Sequence, residues 1–131
     1  MRLAEALQAL SRGLPNPWDE STDYFHHFVA AMPASAKLGV ESFRAALKIG
    51  ARYDIALSSA NDILTGLSKA KDDGEEVVAG FRQLATVMRA TLDQLSLAFA
   101  RGKGVTRVRV WLFGRTKDGT LVGLRSTSTE T

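Results

Sequence analysis

Residues 105–129, VTRVRVWLFGRTKDGTLVGLRSTST, decide the fold of this chain. Two runs rich in β-branched and aromatic residues flank Asp118 and Gly119, a pattern typical of a β-hairpin. A two-residue loop at these positions would place arginine and aliphatic side chains on the same face of the hairpin. A three-residue loop of residues 117–119, with Gly119 in the left-handed bulge position, instead pairs Leu112 with Leu124. The sequence therefore predicts the three-residue hairpin.

This register divides the hairpin side chains between two faces. The aliphatic face holds Val108, Val110, Leu112, Val122 and Leu124. The opposite face holds Arg107, Arg109, Trp111, Phe113, Leu121 and Arg125. Because the aromatic residues of the second face also need cover from water, we expect helices on both sides of the sheet.

Upstream of the hairpin, apolar spacing predicts four helices and two strands. The helices cover residues 3–13, 40–49, 59–67 and 77–95, and the strands cover residues 24–29 and 52–57. Gly50 is expected to end the second helix in a left-handed conformation, and Ser59 to open the third as its N-cap. The sequence predicts an α+β fold in a single domain, residues 1–131: an α/β/α sandwich with a mixed, mostly antiparallel sheet, the C-terminal hairpin and covering helices.

Composition restricts the class of protein. At 131 residues, with 45% hydrophobic and 24% charged residues, the chain is long enough to bury one ordinary core. It has no cysteine, which excludes thiol catalysis and disulfides. No run of about 18 apolar residues occurs, and the first residues do not read as a signal peptide, so we expect a cytoplasmic protein with no membrane partner.

The sequence offers little support for an enzyme. His26 and His27 point to opposite sides of a strand, so they cannot share a metal ion. Ser21, Asp23 and His26 supply the residue types of a hydrolytic triad without any supporting spacing. No phosphate-loop, dinucleotide, zinc or calcium motif occurs. We therefore expect no catalytic residue, no metal, no cofactor and no small-molecule substrate.

Charge is distributed unevenly along the chain. Residues 101–125 carry seven basic residues against the single acid Asp118. Residues 14–35 contain no lysine or arginine but include Asp19, Glu20 and Asp23, and the chain closes on Glu130 and the Thr131 carboxylate. Local patches of this kind steer association more than net charge does.

The basic hairpin leaves two interpretations open. Arg107 and Arg109, with Trp111 as a stacking ring, are suited to a nucleic-acid surface. Alternatively, Trp111 is buried under a helix, and the arginine stems cover apolar surface while their charged groups remain in water. The acidic loop is likewise either a binding element or an ordinary solvated turn.

Read together, three segments resemble the nuclease A inhibitor family. Residues 110–124, VWLFGRTKDGTLVGL, followed by the terminal Glu130-Thr131, are similar to the family's closing strand, G-x-T-x-x-G turn, second strand and Glu-Thr end. Residues 75–84, EEVVAGFRQL, are similar to its long helix, and residues 18–24, WDESTDY, to its acidic loop. The resemblance covers essentially the whole chain.

The resemblance implies an inhibitor, not an enzyme, that blocks the active site of a magnesium-dependent, sugar-non-specific DNA/RNA endonuclease. It assigns an acidic loop residue and the C-terminal carboxylate to the contact with the nuclease's catalytic centre. These are Glu20 and Thr131 here, with Asp19 and Asp23 competing for the role of Glu20 and Glu130 beside the terminus. The other interpretations left open are a nucleic-acid-binding module using Arg107 and Arg109, and a related fold with an unrelated protein partner.

Overall fold

The computed structural model describes residues 2–11, 25–60, 75–102 and 107–129. These residues form three helices and five strands. In chain order they are α1 (Arg2–Ser11), β1 (His26–Ala30), α2 (Val40–Leu47), β2 (Tyr53–Ser59), α3 (Glu75–Thr91), β3 (Asp93–Gly102), β4 (Arg107–Arg115) and β5 (Leu121–Thr129). None of the described helices is long and apolar enough to cross a membrane.

The five strands form one sheet in the order β1-β5-β4-β3-β2. All four neighbouring pairs are antiparallel. The first strand along the chain therefore pairs with the last, and β1 and β2 are the two edges of the sheet. This architecture confirms the predicted α+β sandwich, and the described sheet is antiparallel throughout, where a mixed, mostly antiparallel sheet was predicted.

The C-terminal hairpin has the predicted register. Leu112 lies opposite Leu124, and Arg115 opposite Leu121. The loop closes through the Gly119 N–H, which donates to the Thr116 carbonyl at 3.0 Å, and Gly119 has a φ of +98°. Both features confirm the three-residue bulged turn.

Helices pack on both faces of the sheet, as expected. On one face, α1 and α3 contribute Leu7, Phe81, Leu84 and Met88, which pack against the aliphatic face of the hairpin. On the other face, α2 contributes Phe43, whose ring is stacked 5.0 Å from Phe113 and edge-on at 5.3 Å to Trp111. The hairpin is thus buried on both sides.

The sequence prediction was wrong about where the long helix ends. Helix α3 stops at Thr91, and Leu95 belongs to β3, which the sequence did not predict. The leucine spacing continues past the helix because Leu92 and Leu95 still face the core that α3 faces. Both faces of β3 are covered, with Leu97 in one core and Ala98 in the other, so the polar alternation of a half-buried strand is missing.

Two predicted helix boundaries also need correction. Helix α2 ends at Leu47, and Lys48, not Gly50, takes the left-handed conformation, with φ of 56° and ψ of 43°. Ser59, predicted as an N-cap, is the last residue of β2. The remainder of the helix predicted over residues 59–67 lies outside the described residues, apart from Ala60.

Candidate functional site

Strand β1 begins and strand β5 ends at the same end of the sheet. Strand β1 begins at His26, which lies opposite Arg125 of β5. Strand β5 continues four residues past Arg125, to Thr129. Because the two strands are antiparallel, these four residues extend beyond the start of β1. Because the rise per residue is about 3.4 Å, the end of β5 lies roughly 14 Å beyond the start of the pairing with β1. We call this the terminal end of the sheet.

A single side chain ties the end of the acidic loop to α1. Gln8 donates from Nε2 to the Phe25 carbonyl at 2.7 Å, and its Oε1 accepts the His27 backbone N–H at 2.6 Å. The same oxygen lies 2.9 Å from His27 Nδ1, so the proton of that contact is on Nδ1. The Ser11 hydroxyl also donates to the Gln8 carbonyl at 2.8 Å.

Gln8 therefore fixes the chain that follows the loop to the helix that precedes it. Helix α1 ends at Ser11 on the near side of residues 12–24, and Phe25 follows on the far side. Leu7, next to Gln8, is fully buried against α3. This packing prevents α1 from rotating about its axis, so the Gln8 side chain keeps its direction. Gln8 was not predicted as a functional residue, although a glutamine beside the buried leucines of α1 indicates a polar contact across the helix.

The five predicted partner-binding residues lie outside the described residues. They are Asp19, Glu20, Asp23, Glu130 and Thr131. The described structure provides their supports: α1 and β1 on either side of the acidic loop, and β5 ahead of the terminus.

The basic hairpin does not provide the predicted stacking ring. Trp111 is 1% exposed beneath Phe43, so it cannot stack on a nucleic-acid base. The Arg109 guanidinium lies 4.9 Å from the centre of the Trp111 ring, and this side chain is half-buried. The buried-tryptophan interpretation is confirmed. The Arg107 backbone pairs with Thr129, and the Arg107 side chain is not among those that the structure describes.

Comparison with known protein families adds a further observation. A family profile described as Nuclease A inhibitor-like protein matches residues 2–131. The chain belongs to this family. No curated protein gives a significant match to the chain.

The match to the Nuclease A inhibitor-like family covers both parts of the candidate site, the acidic loop and the C-terminus. The matched residues run from the start of α1 through the acidic loop to the last residue, Thr131. The family resemblance noted in the sequence is therefore confirmed over essentially the whole chain, and it implies a nuclease as the class of protein partner.

Proposed function

We propose that residues 1–131 form a single inhibitor domain that blocks the active site of a sugar-non-specific DNA/RNA endonuclease. It acts by binding and catalyses no reaction of its own. The family match over residues 2–131 is the observation that carries this proposal. Support also comes from the sheet, in which the strand after the acidic loop pairs with the strand before the C-terminus.

Substrate mimicry gives the proposal its physical basis. A cleft that holds a polyanion beside a metal ion is electropositive, so carboxylates placed where the phosphate would sit are attracted to it. The segments 14–35 and 126–131 contain acidic residues and no lysine or arginine. In the proposed complex, a loop carboxylate and the Thr131 carboxylate approach the catalytic centre together.

Glu20 is the proposed central carboxylate of the loop, because it aligns with the family's acidic loop residue. Asp19 and Asp23 lie in the same segment and are tested beside it. Glu130 adds negative charge next to the terminal carboxylate. No small-molecule substrate, cofactor or membrane takes part in this mechanism.

The anchoring of the loop stems contributes to affinity. Gln8 holds Phe25 and His27, so the chain that follows the acidic loop is fixed before the partner arrives. A loop whose ends are already ordered loses less conformational entropy on binding.

The test is inhibition of a magnesium-dependent non-specific nuclease by the purified full chain. We expect Glu20→Gln to weaken inhibition by about 2–5 kcal/mol, or roughly 30-fold to several thousandfold, because a charge partner is left unpaired in a desolvated site. Adding two residues after Thr131 should have a similar effect, since it moves the terminal carboxylate away.

Glu5→Gln is the matched control, because Glu5 is an exposed glutamate on α1. It removes the same charge and should leave inhibition unchanged. Absence of inhibition by the parent chain, or equal potency of the parent, Glu20→Gln and the extended chain, would contradict the proposal. The same series with Asp19→Asn and Asp23→Asn identifies the central carboxylate.

A further inference from the structure

A groove lies on the α2 side of the sheet, and none of the described residues that line it is one of those proposed for nuclease binding. It has a volume of about 640 Å³ and runs between the C-terminal turn of α2 and strands β1, β5 and β4. Its apolar wall includes Phe28, Ala46, Leu47 and Trp111. Ligand sites in proteins are commonly 300–1,000 Å³ in volume and mostly apolar, so the size suits a small organic molecule.

Three cations line the same groove. They are Lys48 from the end of α2, Arg109 from β4 and Arg125 from β5. None of the described residues that line it is an aspartate or glutamate, and none of the three cations forms an ion pair with another described residue. Among the described residues, the groove therefore carries three positive charges beside an apolar surface, with no acidic residue to balance them.

Arg109 is already held in place for binding. Its guanidinium lies 4.9 Å from the centre of the Trp111 ring, and that ring is fixed beneath Phe43. A stacked guanidinium loses less freedom when it binds an oxyanion, and its planar set of N–H donors matches two oxygens at once.

Trp111, one of the residues that line the groove, also has a polar atom without a partner. Trp111 Nε1 is buried, and it is the one buried side-chain nitrogen or oxygen in the described residues that has no hydrogen-bond partner. The Trp111 indole N–H therefore has no described hydrogen bond of its own, and it can report on changes at a ring that lines the groove.

From these observations we propose that the groove binds a small phosphomonoester that carries a flat apolar group. The phosphate lies among Lys48, Arg109 and Arg125, and the apolar group lies against Phe28 and Leu47. A phosphomonoester carries about −1.5 to −2 charges at pH 7, which balances three cations better than a single carboxylate does. This binding site does not depend on the proposed nuclease inhibition.

Phenyl phosphate is a suitable probe, and the Trp111 indole N–H provides the readout. The chain has two tryptophans, so Trp18→Phe leaves one indole signal in a ¹⁵N–¹H correlation spectrum. We expect phenyl phosphate to shift that signal saturably and to bind on the order of tenfold more tightly than inorganic phosphate, because only phenyl phosphate buries apolar area.

Variants separate the charges of the groove from general effects. Arg125→Gln and Lys48→Gly should each weaken phenyl phosphate binding on the order of tenfold, the effect of losing a charged hydrogen bond. Glycine suits the left-handed conformation of residue 48, so the fold is retained. Lys117→Gln removes an exposed charge in the hairpin loop, outside the groove, and should not change binding.

Ala45→Phe tests the location of the ligand without changing charge. Ala45 is exposed and lines the groove, so a phenyl ring there should block phenyl phosphate. The proposal is overturned if the indole signal does not shift, or if inorganic phosphate binds as tightly as phenyl phosphate. It is also overturned if an oligonucleotide binds far more tightly than phenyl phosphate with strong salt dependence, since that result indicates a nucleic-acid surface.

Discussion

At the scale of single residues, Arg115 shows why counting charges along the sequence overstates the basic surface. The sequence places it among seven basic residues, but only 9% of it is exposed. Its Nε donates to the Gly119 carbonyl at 3.1 Å and its Nη2 to the Pro33 carbonyl at 2.6 Å. Arg115 therefore fixes the hairpin loop to the chain after β1 and does not contribute to a binding surface.

Gly119 is the residue at which a small substitution should have a large effect. Its φ of +98° is unfavourable for other residues, and a Cβ there would lie 2.6 Å from the Met32 carbonyl oxygen and 2.8 Å from the Ala34 backbone. We expect Gly119→Ala to lower the free energy of unfolding by about 2–3 kcal/mol, measured by urea denaturation.

Gly50→Ala is the matched control for this prediction. A Cβ at Gly50 meets only Tyr53 Cδ2, at an ordinary 3.8 Å, and Gly50 has no positive φ. Gly50→Ala should change the free energy of unfolding of the protein by no more than about 0.5 kcal/mol. Equal effects of the two substitutions would show that the loop does not require Gly119.

At the scale of elements, the hairpin could be predicted from sequence and β3 could not. The loop length followed from one local requirement: arginines must not share a face with the aliphatic core. For β3, the leucine spacing of α3 continues without interruption into the strand. The left-handed residue, in the irregularity of β3 between Asp93 and Ser96, is Gln94 with φ of 52° and not a glycine. Nothing in the local sequence marks the change from helix to strand.

The hairpin loop should make stability depend on pH in acid. Asp118 Oδ1 accepts the Thr116 hydroxyl and the Thr120 N–H, and these hydrogen bonds hold the pKa of Asp118 below its ordinary value of 3.8. A carboxyl whose pKa is lower in the folded state stabilises the fold fully above its unfolded pKa. That contribution is lost as pH falls through the lower, folded pKa.

The measurement is the difference in unfolding free energy between the parent chain and Asp118→Asn. We expect the parent to be more stable at neutral pH, and the difference to shrink as pH falls from about 5 to about 2. Other carboxylates titrate in both proteins, so the difference isolates Asp118. A difference that stays constant over this range would rule out the lowered pKa as the source.

At the scale of the whole molecule, the strand order supports the proposed site, and the sequence alone could not supply it. β1 and β5 lie at opposite ends of the chain, and their pairing depends on contacts across more than ninety residues, His26 to Arg125. Local patterns carry no information about such pairing. The groove could not be predicted for the same reason, because Lys48 after α2 and Arg125 of β5 come to line one groove only in the folded chain.

Charge also separates at this scale. The net charge is +3, yet the acidic segments adjoin β1 and β5 at the terminal end, while Lys48, Arg109 and Arg125 line the groove on the α2 side. The two proposals therefore use different residues and opposite charges. Each can be tested with substitutions that leave the residues of the other unchanged.

The claim on which the proposed inhibition depends is that the loop carboxylate and the terminal carboxylate lie close together. The chain has no cysteine, so Glu20→Cys and Thr131→Cys allow two spin labels to be attached specifically. A second pair, Glu20→Cys with Lys117→Cys, reports the distance to the opposite end of the sheet, where the hairpin loop lies.

Double electron–electron resonance of the free protein then measures the distance within each labelled pair. The account predicts a distance between positions 20 and 131 below about 25 Å, and a clearly longer one between positions 20 and 117. A distance between positions 20 and 131 of about 30 Å or more, the length of a nine-residue strand, would contradict it.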